Sequence, residues 1–238
     1  AINAGDLTVS GSLNASTAVT VASGADYNVN ASDTVASIAG AGNIILGSNT
    51  LTSGGSNAST TFSGVISGTN GNIVKAGTGT LTLQGNNSYT GSTTISHASG
   101  KIKIERDAPL AYLGATSGFT GPGSLHVLPV SDDFSEAVSS ANITLVGTWL
   151  NELVVGKAAS SSTLYIDSHI RTNGSQTYNG PTVVRNGNWE LETSNDAITF
   201  EDTLNSDGTP RNLTITNGSA NLTLSGAVGG TNPLNNLT

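Results

Sequence analysis

Apolar and small polar residues take turns along this chain in short bursts. In "DLTVSGSL", "AVTVASGA", "NIILGSNTLT", "TTFSGVIS", "TLTLQGNN", "STTISHAS" and "KIKIERDA" the alternation lasts a few positions, and then Gly, Asn, Ser or Asp closes the run. A period of two predicts strands with one face inward and one outward, and the closing residues are those that make tight turns. The runs recur about every ten residues, so two or three together give a period of about 20 to 30, the range of solenoid coils. The pattern therefore predicts an all-β, parallel β-helix. Leu, Ile and Val point in, Thr and Ser point out, and corner asparagines ladder from coil to coil at the sheet spacing of about 4.8 Å. A sandwich or barrel shares this strand spacing. The solenoid is preferred because long strands, a partnered buried Trp and a polar outer layer are missing.

Two stretches interrupt the rhythm. "DAPLAYLGATSGFTGPG", from Asp107 to Gly123, holds two prolines and a Leu/Tyr/Leu cluster and reads as a loop or short helical turn. "SDDFSEAVSSA", residues 131 to 141, sets Asp133 three positions ahead of Glu136, a capping-box spacing that predicts a helix of one or two turns. The organisation is accordingly coils over 1–106, an irregular excursion with loops and a short helix over 107–141, and further coils over 142–238. Function is expected in the excursion, since loops vary while coils stay fixed.

Composition narrows the partners. Hydrophobic residues make up 36% of the 238 positions and sit in clusters, which argues against disorder, while aromatics at 5% exclude a thick aromatic core. The formal charge is -8 and no basic run occurs, so nucleic acid and anionic membrane are excluded as partners. Cysteine is absent, which removes disulfides and thiolate metal sites and suits an oxidising exterior. There is no apolar run long enough to insert into a membrane. Starting at "AINAGDLTVSG" and stopping at "NPLNNLT", the chain reads as a fragment of a much longer protein, and end-to-end self-association is expected of its uncovered sheet edges.

Candidate chemistry is sparse. Asp132, Asp133 and Glu136 are a calcium candidate, because hard cations take several oxygens from one loop; a solvated helix N-terminus is the weightier reading. His97, His126 and His169 lack ligand spacing. On "KIKIERD" the alternation puts Lys101, Lys103 and Glu105 outward, with Arg106 beyond, a small contact for an anionic glycan or simply a solvated face. Trp149 and Trp189 are candidate sugar-stacking rings, or half-buried rings with a satisfied N–H. Thr78, Thr80 and Thr82 form an outward row of the kind an ice-binding face needs, but the drifting period argues against coil-to-coil registration. Between residues 1 and 100 the only fixed charges are Asp6, Asp26, Asp33 and Lys75, too few for the converging carboxylates of a polysaccharide-cleaving β-helix.

Residues Val35 to Ile95 resemble the passenger-associated repeat of bacterial autotransporters. The resemblance is carried by Ser37 to Gly42, Leu46 with Gly47, "FSGVISG" from Phe62 to Gly68, and Lys75 to Leu83 with Gly85, Tyr89, Thr90 and Gly91. "KIKIERDAPLAYLG" is similar to the ending of that repeat; His97 and Ala98 depart from it. A second stretch, Arg171 to Thr238, resembles tandem repeats of filamentous-haemagglutinin-like exoproteins of the two-partner-secretion type, through Tyr178 to Gly180, Phe200 and "GAVGGTNPL". These resemblances imply a right-handed β-helical stalk at the bacterial surface. They bring no catalytic motif and no ligand.

The function expected is thus a structural and adhesive segment of a large exported surface protein, extracellular, without catalytic residues or cofactor. Its partners would be host or bacterial surface glycans, matrix or other cells. A carbohydrate-active β-helix enzyme or a glycan-binding module is the alternative.

Overall fold

The computed structural model describes residues 1–107, 118–145 and 150–238. Contacts divide the chain into two units, the first comprising residues 1–105 and 118–124 and the second residues 106–107 with 125–238 less the undescribed positions. Each unit is a parallel β-solenoid, and each coil contributes one short strand to each of three faces. The antiparallel pairing of a sandwich does not occur in these sheets.

In the first unit one face stacks Ala18–Val21, Ser37–Gly40, Thr60–Phe62, Thr80–Leu83 and Lys101–Glu105. The next holds Gly5–Val9, Ala25–Val29, Asn43–Ile45 and Ile66–Ser67. The third holds Asp33–Val35, Thr50–Ser53, Asn72–Lys75, Thr93–Ile95 and Phe119–Thr120. Parallel stacking in register brings equivalent residues of successive coils into columns. Val21, Gly40, Phe62, Leu83 and Ile104 form one inward column; Leu7, Tyr27, Ile44 and Ile66 form another. The strands are only a few residues long because the coil must turn before a longer strand would overrun the narrow interior. Stacked β-branched and Leu side chains, rather than a thick core, remove apolar surface from water.

Corners are built from glycine and asparagine, for two different reasons. A Cβ on Gly85 would collide with the carbonyl oxygen of Gly64, and one on Gly64 with that of Gly42. These three mark a corner where successive backbones meet with no room for any side chain. Asparagines instead bridge coils by side chain to backbone. Asn57 Oδ1 accepts from Thr78 N (2.9 Å), Asn87 Oδ1 from Ile66 N (2.9 Å), and Asn49 Nδ2 donates to Val29 O (2.8 Å). The expected Asn ladder is therefore mostly a ladder of amide caps on main-chain groups left open where the strands end.

In the second unit the faces stack Ser124–Leu128, Glu152–Val155, Ser175–Tyr178, Ile198–Phe200 and Leu222–Leu224, with Ser124 itself counted in the first unit; then Val138–Ser139, Leu164–Ile166, Thr182–Val184 and Leu204–Ser206; and Ile170–Arg171, Trp189–Glu192, Asn212–Thr216 and Asn236–Leu237. Its interior holds a connected polar group. The Tyr178 hydroxyl donates to Gln176 Oε1 (2.9 Å), and Gln176 Nε2 donates to Thr172 Oγ1 (3.0 Å) and Glu192 O (2.8 Å), all buried and all partnered. The Tyr178 ring stacks on Phe200 one coil on, centroids 5.1 Å apart.

Most of the excursion from Asp107 to Gly123 lies outside the described residues. Over 131–141 the structure gives bends, the strand Val138–Ser139 and a 3-10 turn, Ser140–Asn142, in place of the capping-box helix. The Ser139 side chain caps that turn. Asp133 cannot cap a helix because its carboxylate is taken by Ser160 and Ser161 of the next coil.

Candidate functional site

Outward side chains of the first unit are chiefly Thr, Ser and Asn, and few are charged. Lys103 Nζ lies 2.7 Å from Glu105 Oε1, and Gln84 Nε2 donates to Glu105 Oε2 (2.9 Å), so Glu105 is tied to a neighbour on its own strand and to one on the preceding coil. Thr82 stands between Thr61 and Lys103 in register and is buried, so the threonine row is not repeated along the axis.

Inside the same unit sits a charge. Lys75 shares an inward column with Val35, Ser53 and Ile95 and is 1% exposed. Its ammonium donates to the carbonyl oxygens of Ala76 and, at 3.0 Å, Gly77. Burial pulls its pKa below the usual lysine value. Asp33 is also buried; it accepts from the Tyr27 hydroxyl (2.6 Å), from Leu13 N (3.0 Å) and from Thr34 N (2.8 Å). Burial, followed by this carboxylate, raises the Tyr27 phenol. Tyr89 meets Thr93 Oγ1 at 2.6 Å, and burial pushes its phenol up to about 12. These groups are out of reach of any ligand and serve the coil.

The calcium candidate is dispersed. Asp132 and Glu136 are exposed, whereas Asp133 turns onto the neighbouring coil, accepting from Ser161 N (2.6 Å), Ser161 Oγ (2.8 Å) and Ser160 Oγ (2.9 Å). The Ser161 hydroxyl first, then that of Ser160, holds its pKa below the usual carboxylate range. Among the described residues no group of three or more His, Asp or Glu is placed to hold a metal ion. Asp107 binds Val130 N, Ser131 N and Ser131 Oγ in the same way, and Lys157 Nζ bridges Val130 O and Ser131 O. Asp167 gathers Ser139 Oγ (2.7 Å), Ala141 N (3.0 Å) and Arg185 Nε (3.0 Å), and Arg185 lies 3.6 Å above the Tyr165 ring. Burial works to raise the Asp167 pKa, but the Ser139, Ala141 and Arg185 bonds outweigh it and leave it lowered.

The histidines stand apart. His97 Nδ1 accepts from Ser99 N (3.1 Å) at an exposed turn, and His126 Nε2 lies 2.6 Å from Glu152 Oε2. His169 lines a groove of about 350 Å³ with Ile170, Arg171, Glu190 and Glu192. There Arg171 pairs with Glu192, Glu190 Oε1 accepts from Thr216 Oγ1 (2.9 Å), and Glu190 N donates to His169 Nδ1 (3.1 Å). Trp189 is half-buried, gives its N–H to Arg185 O (2.7 Å) and meets His169 edge-on at 5.3 Å. Trp149 lies outside the described residues. Reading the sequence for lone aromatics found Trp189 but missed its companions. The alternation in "WELE" was the available signal, because a spacing of two puts Glu190 and Glu192 on one outward face.

Residues 73–98 match the family model of the passenger-associated-transport-repeat. In the fold this segment runs from the Asn72–Lys75 strand through Thr80–Leu83 to Thr93–Ile95, one coil and the start of the next, and it contains Lys75, Gly85 and Tyr89. The match covers the later part of the resemblance read from Val35 to Ile95. Repeats of this kind occur in autotransporter passenger domains, and with the solenoid they fit a passenger segment of an exported surface protein. No curated protein and no solved structure matches the chain. Among the described residues no helix is long and apolar enough to cross a membrane.

Proposed function

We propose that the chain is a structural and adhesive β-helical segment of an exported bacterial surface protein, non-catalytic, wound right-handed as parallel crossovers are. The observation that carries this reading is that the 73–98 match falls on the coil itself, covering one turn and the start of the next. Backbone hydrogen bonds between coils make such a stack stiff, a property suited to holding contacts away from a cell. The resemblance of Arg171 to Thr238 to filamentous-haemagglutinin-like repeats supports the same role for the second unit. Against catalysis, the carboxylates of the groove are engaged, Glu192 by Arg171 and Glu190 by Thr216.

The test is display. The chain fused to a translocating outer-membrane barrel should reach the surface of the host bacterium, be cut by protease added to whole cells, and make those cells attach to glycan-coated or cell-coated plates. Retention inside the cell would overturn the exported reading. Display without attachment would overturn the adhesive one, and release of new reducing ends from a polysaccharide panel would overturn the non-catalytic one.

A further inference from the structure

One groove of this sparsely charged surface brings both signs of charge together with an imidazole. Ile170, Leu191 and Ile215 stack as an inward column, so the residues beside them fall into two outward rows, Arg171 with Glu192 and Thr216, and His169 with Glu190 and Thr214. Two carboxylates, a guanidinium and an imidazole thus share the groove, in a protein whose charged residues are only 10% of the total.

The bonding state of each group says what the groove offers. Because the Glu190 amide donates to His169 Nδ1, that nitrogen acts as an acceptor, and Nε2 is the nitrogen left to donate. Trp189 fixes the ring edge-on. A guanidinium has five N–H donors and Arg171, 56% exposed at its side chain, spends part of them on Glu192. Each carboxylate has a second oxygen beyond the one bound to Arg171 or Thr216. Donors and acceptors therefore alternate across the floor. The two glutamates and the arginine leave a net negative charge of one, which disfavours an anion, and a cation would have to displace the guanidinium already in place. A neutral, hydroxyl-rich ligand fits instead, since each hydroxyl both donates and accepts. The volume lies at the small end of ligand sites, about 300 Å³ and up, room for a sugar residue at a time.

We infer that the groove formed by His169, Arg171, Glu190 and Glu192 is a binding site for a neutral saccharide residue of a surface glycan. The inference rests on the adhesive reading above and gives it an address.

The experiment uses the purified full chain on an array of oligosaccharides, neutral ones built from glucose, galactose, mannose and N-acetylglucosamine beside sialylated and sulfated ones. The best neutral binder is then followed by calorimetry and by amide NMR shifts. Binding should favour neutral members, shift the amides of 169–171 and 190–192, and weaken at least 10-fold in Glu190→Gln and Arg171→Ala while Lys101→Ala binds as the parent chain does. Preference for anionic glycans, shifts elsewhere, or no binding to any neutral member would overturn the inference. Because the shifts are read on the unsubstituted chain, a variant that fails to fold leaves the question decidable. Failure here while displayed cells still attach would remove this site and keep the adhesive reading; loss of both would remove the adhesive reading itself.

Discussion

Lys75 is the residue at which the interior departs most from an apolar stack. Its folded pKa is lowered by burial, so the unfolded chain binds the extra proton and stability rises with pH as the value near 10.5 is approached from below. The gain begins where the folded group starts to deprotonate and is complete above the unfolded pKa, with a slope of at most about 1.4 kcal/mol per pH unit. Urea midpoints between pH 7 and pH 9.5, below the range where the raised Tyr27, Tyr89 and Tyr178 phenols act in the opposite sense, should show this rise, and Lys75→Met should flatten it. Gly85 fails in a different way. Its Ala variant would drive a Cβ into the Gly64 carbonyl oxygen and should lose about 3 kcal/mol, seen as a lower urea midpoint at unchanged pH. Both residues were visible in the sequence, but only partly as what they are. Gly85 sat where a corner was expected. Lys75 follows Ile73 at spacing two in "NIVK", which points it inward, yet the habit of placing lysine outward competes with that parity.

At the level of strands and corners, the second unit is stitched by aspartates. Asp133, Asp107 and Asp167 each take two or more N–H or hydroxyl donors from a neighbouring stretch of chain. Asp167 is the most enclosed, its side chain 7% exposed, and it also anchors Arg185. Asp167→Ala should therefore cost about 3 kcal/mol or more, because a half-buried guanidinium and two serines lose their acceptor; denaturant unfolding followed by Trp189 fluorescence measures it. The strand pattern of the coils was legible because alternation and corner residues agree with each other in "TLTLQGNN" and its kin. The stretch 131–141 was not, since a capping-box spacing fits Asp133 and Glu136 locally, and only the neighbouring coil, with Ser160 to Ser162, shows that the carboxylate has another use. The same limit hid the groove: "WELE" reveals two glutamates on one face, but not that His169 and Arg171 lie one coil away.

Across the molecule, the response to acid should be uneven. Asp107, Asp133, Asp167 and Asp207, whose folded values are lowered, all belong to the second unit, Asp207 at about 2 mainly through Arg211. Carboxylates of this kind contribute stability that is present above the unfolded value near 3.9 and lost as pH falls through the folded values. In the first unit the shifted groups are Tyr27, Lys75 and Tyr89, whose charge states do not change in that window. Hydrogen exchange between pH 5 and pH 2 should accordingly show amides of 125–238 losing protection before those of 1–105; simultaneous loss would contradict it. A tendency to β-structure and the repeat period were enough to foresee the solenoid, whereas this asymmetry depends on which carboxylates find donors across coils.

Because each coil meets only its neighbours, in register and through main-chain bonds whose partners lie about one turn apart, as Lys75 O and Ser96 N do 21 residues from each other, heredity can act on this protein in whole turns. Duplication or loss of one complete coil returns every column to alignment. An insertion of a single residue within a strand throws inward side chains outward from that point to the next corner. Lineages carrying this fold should therefore differ in length by multiples of a coil, and tolerate odd residues only at the Gly and Asn turns.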